Sequence, residues 1–179
     1  MSVTILGIDP SLTNTGLCWG DGPENHMSES VSYKMPKSWS PRRLEYRIRR
    51  AEALTDLVKC NVDTWGPAVA MIESYSYASR NGGEFLGEFG GLLRSRLLKD
   101  IGEVVEVAPT MVKKFATGKG NAKKEVIIGH VQKRWNVLFD NSDEADAYVL
   151  YRIGLCYAGI CEPENQAQRE VLAKLKGEA

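Results

Sequence analysis

The sequence predicts a single α/β domain built on a mixed five-stranded sheet flanked by helices, and three observations lead there. Short strand-like runs recur at residues 3–8, which is apolar and rich in β-branched residues, at 67–72, which is apolar, and at 104–107, the pattern of buried strands. Apolar residues at three- and four-residue spacing lie between and after those runs, as amphipathic helices require. The chain is 179 residues long, 43% hydrophobic and 26% charged, enough for one well-buried core and short for two. Residues 1–161 are expected to form the domain, with residues 162–179 as a polar C-terminal tail.

The first run closes on Asp9-Pro10, so Asp9 stands at a strand end. Thr13-Asn14 is turn-like and residues 16–19 resume a strand, giving a hairpin to which residues 27–33 add a third antiparallel strand. Ser40-Pro41 suits an N-cap and first helical position, and Leu44, Ile48, Ala51, Leu54 and Val58 continue as the apolar stripe of a helix about five turns long. Its other face carries Arg42, Arg43, Arg47, Arg49 and Arg50, either a solvated surface or a stripe facing DNA. Residues 67–73 repeat the first pattern, an apolar strand ending in Glu73, and residues 74–83 read as a loop.

A helical pattern with Phe85, Phe89, Leu92, Leu93 and Leu97 spans residues 84–99 despite Gly87, Gly90 and Gly91. Glycine inside a helix costs about 1 kcal/mol relative to alanine, so another backbone is expected to approach there. After the strand at 104–107, Pro109 opens a helix that Gly118-Lys119-Gly120 breaks. Residues 123–135 form a helix with Val126, Ile127, His130, Val131 and Trp135 inward, residues 142–159 form a last long one, and Leu172 and Leu175 extend a helical pattern into the tail. Three strands, then helices alternating with strands, is an order that fits the ribonuclease H-like architecture.

No basic segment followed by an apolar one opens the chain, and no run approaches 18 apolar residues. Neither export nor membrane insertion is expected, and the place of action is the cytoplasm of a bacterium, for a cellular or a viral protein. Cys18, Cys60, Cys156 and Cys161 lack C-x-x-C spacing, and His26 and His130 lie far from them in sequence, which favours reduced thiols over zinc. Net charge is zero, but unevenly distributed. Between Ala108 and Trp135 stand Lys113, Lys114, Lys119, Lys123, Lys124, Lys133 and Arg134 against the single acid Glu125, while acids gather at residues 21–29 and in the tail. A local basic face can hold phosphate on a chain that is neutral overall.

Four acids carry the chemistry. Asp9 and Glu73 each end an apolar strand, and Asp143 and Asp146 open the late helix three residues apart, on one face. Singly, most have a plainer reading: Asp9 as a turn-forming residue, Glu73 as a side chain reaching solvent, Asp143 as a first-turn acid favoured by the helix dipole behind an Asn141 or Ser142 cap. Asp146 is harder to explain that way, because Ala145, Ala147 and Val149 around it read as buried. Together they suit Mg2+, a hard ion that takes oxygen ligands from few carboxylates plus water and phosphate. Two such ions about 3.5–4 Å apart can clamp the attacking and leaving oxygens of a phosphodiester. Gathered carboxylates also repel, so without metal at least one should hold a raised pKa.

Over nearly the whole chain, ILGIDPSLTNTG, AMIESYSYASRNG, VEVAPTMVKKFATGKGNAKKEVI and SDEADAYVL resemble the successive motifs of RuvC-type Holliday junction resolvases. The proline, V-K, G-x-G and A-x-K pattern of the third is the most specific. The resemblance implies a ribonuclease H-like fold, a homodimer whose two-fold axis matches the two equivalent strands of a junction, and Mg2+- or Mn2+-dependent cleavage of branched DNA to 5'-phosphate and 3'-hydroxyl ends, with two ions per site. It places the metal ligands on Asp9, Glu73, Asp143 and Asp146. The family's basic residues near the scissile phosphate fall on Lys113 and on either Lys123 or Lys124, with Lys124 the better candidate to steady the pentacovalent phosphate.

Lys114 and Lys119 join them as DNA-binding candidates. Tyr75 and Tyr77 stand where the family tends to carry one inserted aromatic. Either tyrosine could stack on an opened base or pack in the core, and Arg80, beside Asn81, could hold phosphate. The helix at residues 84–99 is the candidate dimer interface, with packing inside the chain as the alternative.

Other functions share parts of this pattern. A fork- or flap-debranching nuclease, or a YqgF-like RNA-processing nuclease, would use the same acids. GIDPSLTNTG also resembles the first phosphate loop of actin-like and sugar-kinase domains, but those folds need two such domains and a second glycine-rich segment. A non-catalytic DNA-binding module would not require all four acids.

Overall fold

The computed structural model describes residues 3–34, 44–75 and 83–178. Strands β1 (Ile5–Asp9), β2 (Thr15–Gly22) and β3 (Asn25–Val31) form an antiparallel meander, so the acids of residues 21–29 lie on a hairpin. On the other side of β1, β4 (Val69–Glu73) and β5 (Glu103–Val107) add in parallel, giving the order β3-β2-β1-β4-β5. Parallel neighbours need crossovers; α1 (Leu44–Trp65) leads into β4 and α2 (Gly83–Asp100) joins β4 to β5. Then come α3 (Pro109–Thr117), α4 (Lys124–Trp135), α5 (Ser142–Tyr157) and α6 (Gln166–Leu175). Among the described residues no helix is long and apolar enough to cross a membrane, and the four cysteines are free thiols.

The two-residue period of the strands divides the core in two. Ile5, Val69, Met71 and Val107 face α3, α4, α5 and α6, whereas Leu6, Ile8, Ala70 and Ile72 face α1 and α2. Helix α5 is central, buried from Ala145 to Cys156. It meets the sheet backbone to backbone: a Cβ on Gly7 would stand 2.2 Å from the Ala147 carbonyl oxygen, and one on Gly16 2.0 Å from that of Asp143. Only glycine permits so close an approach at either point.

Several expectations need correction or completion. Ala51, Leu54 and Val58 are buried as the stripe of α1 requires, but Leu44 and Ile48 are exposed, and the inward face continues through Thr55 and Val62. The Ser40-Pro41 cap, Arg42 and Arg43 lie outside the described residues. Arg47 pairs with Glu88 of α2, Arg49 with Glu45, and Arg50 donates to the Leu12 carbonyl, so these three are engaged within the chain.

The atoms nearest a Cβ at Gly90 are side-chain atoms of Tyr75 and Arg94, and nothing stands within 4 Å of one at Gly87 or Gly91, so the expected backbone approach is not what these three glycines serve. The buried side of α2, Phe89, Leu93 and Leu97, packs inside the chain with the α1 residues. Gly118 ends α3 at φ +81°, a left-handed conformation that favours glycine. On α4, Ile127 and Val131 are buried but Val126 is exposed. Val171 and Leu172 of α6 bury in the core cluster of α3, α4 and α5, so this part of the expected tail contributes to the core.

Candidate active site

Register sets Asp9 beside Glu73. Strands β1 and β4 pair Ile5 with Val69 through Ile8 with Ile72, and Asp9 and Glu73 are the next positions on these adjacent parallel strands. Alternation puts both on the face shared by Ile5, Val69 and Met71, the face covered by α5. The N-terminal turns of α5 bring Asp143 and Asp146 to the same place, at a height fixed by the contacts at Gly7 and Gly16. Asn141 caps this helix end, accepting the Glu144 N–H at 2.9 Å, as one of the two expected capping residues. Asp9, Glu73 and Asp146 line a cavity of about 230 Å³ together with Lys113, Lys124, Pro109, Val112 and Ile127.

One lysine enters among the acids. Lys124 Nζ lies 3.0 Å from Asp143 Oδ1 and 3.3 Å from Asp146 Oδ2. Asn14 donates its side-chain amide to Asp143 Oδ2 at 3.1 Å, so Asp143 is held through both oxygens. Asp146 Oδ1 is buried without a hydrogen-bond partner. Burial raises the Asp9 carboxyl well above the ordinary range, and the charges of Glu73 and then Asp146 add to it. Burial and then Asp146 push Glu73 up to about 7. Asp146 is raised chiefly by burial, against the opposing charge of Lys124. For Lys124 burial acts downward, but the Asp143 hydrogen bond and the charges of Asp146 and Asp9 outweigh it and raise its pKa. It therefore stays an ammonium.

These groups fit a hard divalent cation. The donors are carboxylate oxygens, one of them has no partner, and burial, with the neighbouring carboxylates adding to it, makes three carboxyls hold protons unusually tightly. With the side chains as they stand, no three carboxylates, imidazoles or thiols among the described residues converge closely enough to hold one ion. The Lys124 ammonium instead stands between Asp143 and Asp146, where it does part of a cation's electrostatic work.

The remaining candidates divide. Lys113 lines the cavity. Of the two alternatives at the start of α4, Lys124 contacts the acids, while Lys123 is exposed at the N-cap position. Lys119 is exposed between α3 and α4, and Lys114 pairs with Glu170 of α6. Tyr75 packs on Gly90 and donates to the Gly87 carbonyl at 3.3 Å, and the Arg94 guanidinium covers one face of its ring at 4.3 Å. Tyr77, Arg80 and Asn81 lie outside the described residues. Sequence reasoning missed Asn14 and Arg94. Asn14 was hidden by its own turn reading within GIDPSLTNTG; Arg94 has no motif around it, and only its place on α2 facing the exit of β4 reveals it.

Residues 5–152 match the family described as crossover junction endodeoxyribonuclease RuvC. The protein of that name from Chlamydia muridarum is 30% identical over 177 residues, covering 96% of this chain and 100% of the relative. Its namesake from Campylobacter jejuni is 30% identical over 135 residues, covering 74% of this chain and 81% of the relative. Among solved structures, T. thermophilus RuvC in complex with Holliday junction substrate superposes with a TM-score of 0.66 at 19% identity, covering 88% of this chain and 96% of that one. The yeast mitochondrial Holliday junction resolvase Ydc2 gives 0.58 at 12% identity, covering 98% and 81%. The likenesses show the ribonuclease H-like fold that the order of elements led us to expect.

Proposed function

Because the chain belongs to the crossover junction endodeoxyribonuclease RuvC family, we propose that it is a structure-selective endodeoxyribonuclease that resolves four-way DNA junctions by divalent-metal-dependent hydrolysis of phosphodiesters in paired strands. The observation that carries this reading is the meeting of Asp9, Glu73 and Asp146 with Lys113 and Lys124 in one cavity. A pocket of crowded, buried carboxylates bordered by lysines suits a substrate that brings phosphate and takes up cations together.

Asp9, Glu73, Asp143 and Asp146 would hold Mg2+ or Mn2+, two ions by family analogy. Bound there, the metal supplies a lowered water pKa and neutralises charge on the phosphate. The chain's own residues do the rest. Asn14 fixes the rotamer of Asp143 through Oδ2, leaving Oδ1 to its present partner Lys124. Lys124, half-exposed and fully charged, would leave the acids once cations were held there and would donate to a non-bridging phosphate oxygen as negative charge builds. Lys113 adds a second positive charge at the cavity wall. Lys119 and Lys123, exposed on the same segment, extend the basic surface along the DNA backbone, with Lys114 at its edge.

Tyr75 anchors the start of the segment whose Tyr77 and Arg80 we assign to DNA contact. A homodimer, each subunit one domain with a C-terminal extension, would cut the two equivalent strands, in the bacterial cytoplasm. The test incubates the protein with a four-way junction, a Y-shaped fork and linear duplex, in Mg2+ and in EDTA. Paired cuts in the junction that require Mg2+ support the reading. Equal cutting of all three, preference for the fork, or cutting unaffected by EDTA would sink it.

A further inference from the structure

The exit of β4 lacks a hydrogen-bond donor for a reason written in the sequence. The Ser74 N–H donates to the Val107 carbonyl of β5 at 2.9 Å, so strand alternation turns the Glu73 carbonyl the other way, toward β1. By the β1/β4 register its donor there would be the backbone of residue 10. Residue 10 is proline and has no N–H.

Arg94 takes that role from α2. Its Nη2 donates to the Glu73 carbonyl at 2.9 Å. The rest of the guanidinium is equally committed: Nε pairs with Glu106 of β5, Nη1 donates to the Gly90 carbonyl at 3.2 Å, and the group lies 4.3 Å from the centre of the Tyr75 ring. Gly90 makes the space, since a Cβ there would stand 2.6 Å from Nη1 and 1.9 Å from the Tyr75 hydroxyl. The side chain is only 14% exposed. One cation thus binds the end of β4, the neighbouring strand and the first residues of the following segment to α2.

We propose that Arg94 is a positioning residue for Glu73, holding the backbone from which this carboxylate projects into the cavity. The inference rests on the metal-binding role given to Glu73 above. Without the clamp, the peptide group between Glu73 and Ser74 turns to find a donor in water and carries the Cα–Cβ bond with it. Metal and nucleophile geometry tolerates little such movement.

Arg94→Ala and Arg94→Lys test this against wild type in readouts of different kinds. The Ser74 amide nitrogen belongs to the peptide group whose oxygen Arg94 holds, so its NMR shift reports the contact without metal or DNA; it should move in both variants, further in Arg94→Ala. The Mn2+ concentration for half-maximal thermal stabilisation should rise about tenfold in Arg94→Ala and less in Arg94→Lys, as expected for loss of a charge-assisted hydrogen bond. The Mn2+ midpoint for junction cleavage should rise in step, with junction affinity in EDTA within about twofold of wild type. Pro10→Ala returns the missing N–H, so the double variant with Arg94→Ala should recover part of the lost metal affinity.

A folded Arg94→Ala with wild-type metal midpoints overturns the proposal. So does a variant that loses melting temperature and junction binding together while its metal midpoints stay fixed, which is what a merely structural arginine predicts. If Arg94→Ala does not fold, Arg94→Lys, which keeps a cation at the position, decides by the same criteria. Wild type that neither cuts a junction nor gains stability with Mn2+ refutes instead the functional reading, an outcome seen without any variant.

Discussion

Protonation of the metal-free site should be visible in stability. The Glu73 carboxyl, ordinarily near 4.5, titrates at about 7 in the fold because of burial and the nearby Asp146. Between those values the native protein binds more protons than the unfolded chain, so stability must fall as pH rises through that window. The interval converts, at about 1.36 kcal/mol per pH unit, to on the order of 3 kcal/mol from Glu73 alone. Asp9 and Asp146 are raised by the same burial and act in the same direction. At roughly 2–4 °C per kcal/mol for a chain of this size, melting in EDTA should drop by roughly 6–12 °C between about pH 5 and about pH 8.

His26 opposes this trend: burial lowers its pKa, so its contribution to stability grows as pH rises. It is present equally in Glu73→Gln, and the difference between the two proteins therefore reports Glu73 together with the relief its loss gives Asp9. In EDTA at about pH 8 the variant should be the more stable, with a flatter profile, and Mg2+ should raise wild type far more than the variant. Thermal and urea denaturation across the range provide the measurement. A Glu73→Gln variant less stable than wild type at high pH would refute the picture of a confined, partnerless carboxylate.

Asp146→Asn should keep junction binding by gel shift and abolish cleavage while raising stability in EDTA, because it neutralises a buried acid whose Oδ1 has no partner; normal cleavage would remove Asp146 from the ligand set. Lys124→Met should lower metal-free stability, since Asp143 and Asp146 lose their shared cation, and should cut single-turnover cleavage at saturating Mg2+ by about 10²–10³-fold. Gly16→Ala forces a Cβ to within 2.0 Å of the Asp143 carbonyl and should destabilise by about 1–3 kcal/mol in urea. Gly87→Ala, with open space around it, should instead stabilise by about 1 kcal/mol.

The parts of this fold legible in the sequence are those where one short pattern determines one structural fact. Two apolar runs each ending in an acid, once paired in parallel and in register, carry their carboxylates to the same end and the same face of the sheet. The αL stop at Gly118 and the Asn141 cap were equally local. What could not be read depends on distant partners. Leu44 and Ile48 fit the stripe of α1 in spacing, yet they are exposed, while burial continues through Thr55 and Val62 instead.

The glycines of α2 suggested a close backbone approach; the actual neighbour at Gly90 is a tyrosine side chain from another segment. The close approach occurs at Gly7 and Gly16, which strand patterns do not single out. Lys123 and Lys124 are indistinguishable as letters, and helix phase alone directs Lys124 to the acids.

The charge balance of the cavity ties metal and DNA together more tightly than the basic surface suggests. With every acid ionised, Asp9, Glu73, Asp143 and Asp146 outnumber Lys113 and Lys124, so the pocket repels a phosphate even though Lys119 and Lys123 nearby attract one. Protonation of Glu73 near neutral pH relieves part of that repulsion but takes one carboxylate out of the set that could bind metal. On the proposed reading, divalent cations would relieve it while keeping the ligands ionised, and Lys124, displaced from Asp143 and Asp146, would be free to meet the phosphate. Metal and DNA should therefore bind cooperatively, each raising the affinity for the other by the same factor. Non-cleaving Ca2+ should tighten junction binding in titrations, and the gain should shrink in Asp146→Asn, where less repulsion remains to relieve. Equal junction affinity in Ca2+ and EDTA would mean that the acids and the phosphate do not share a pocket.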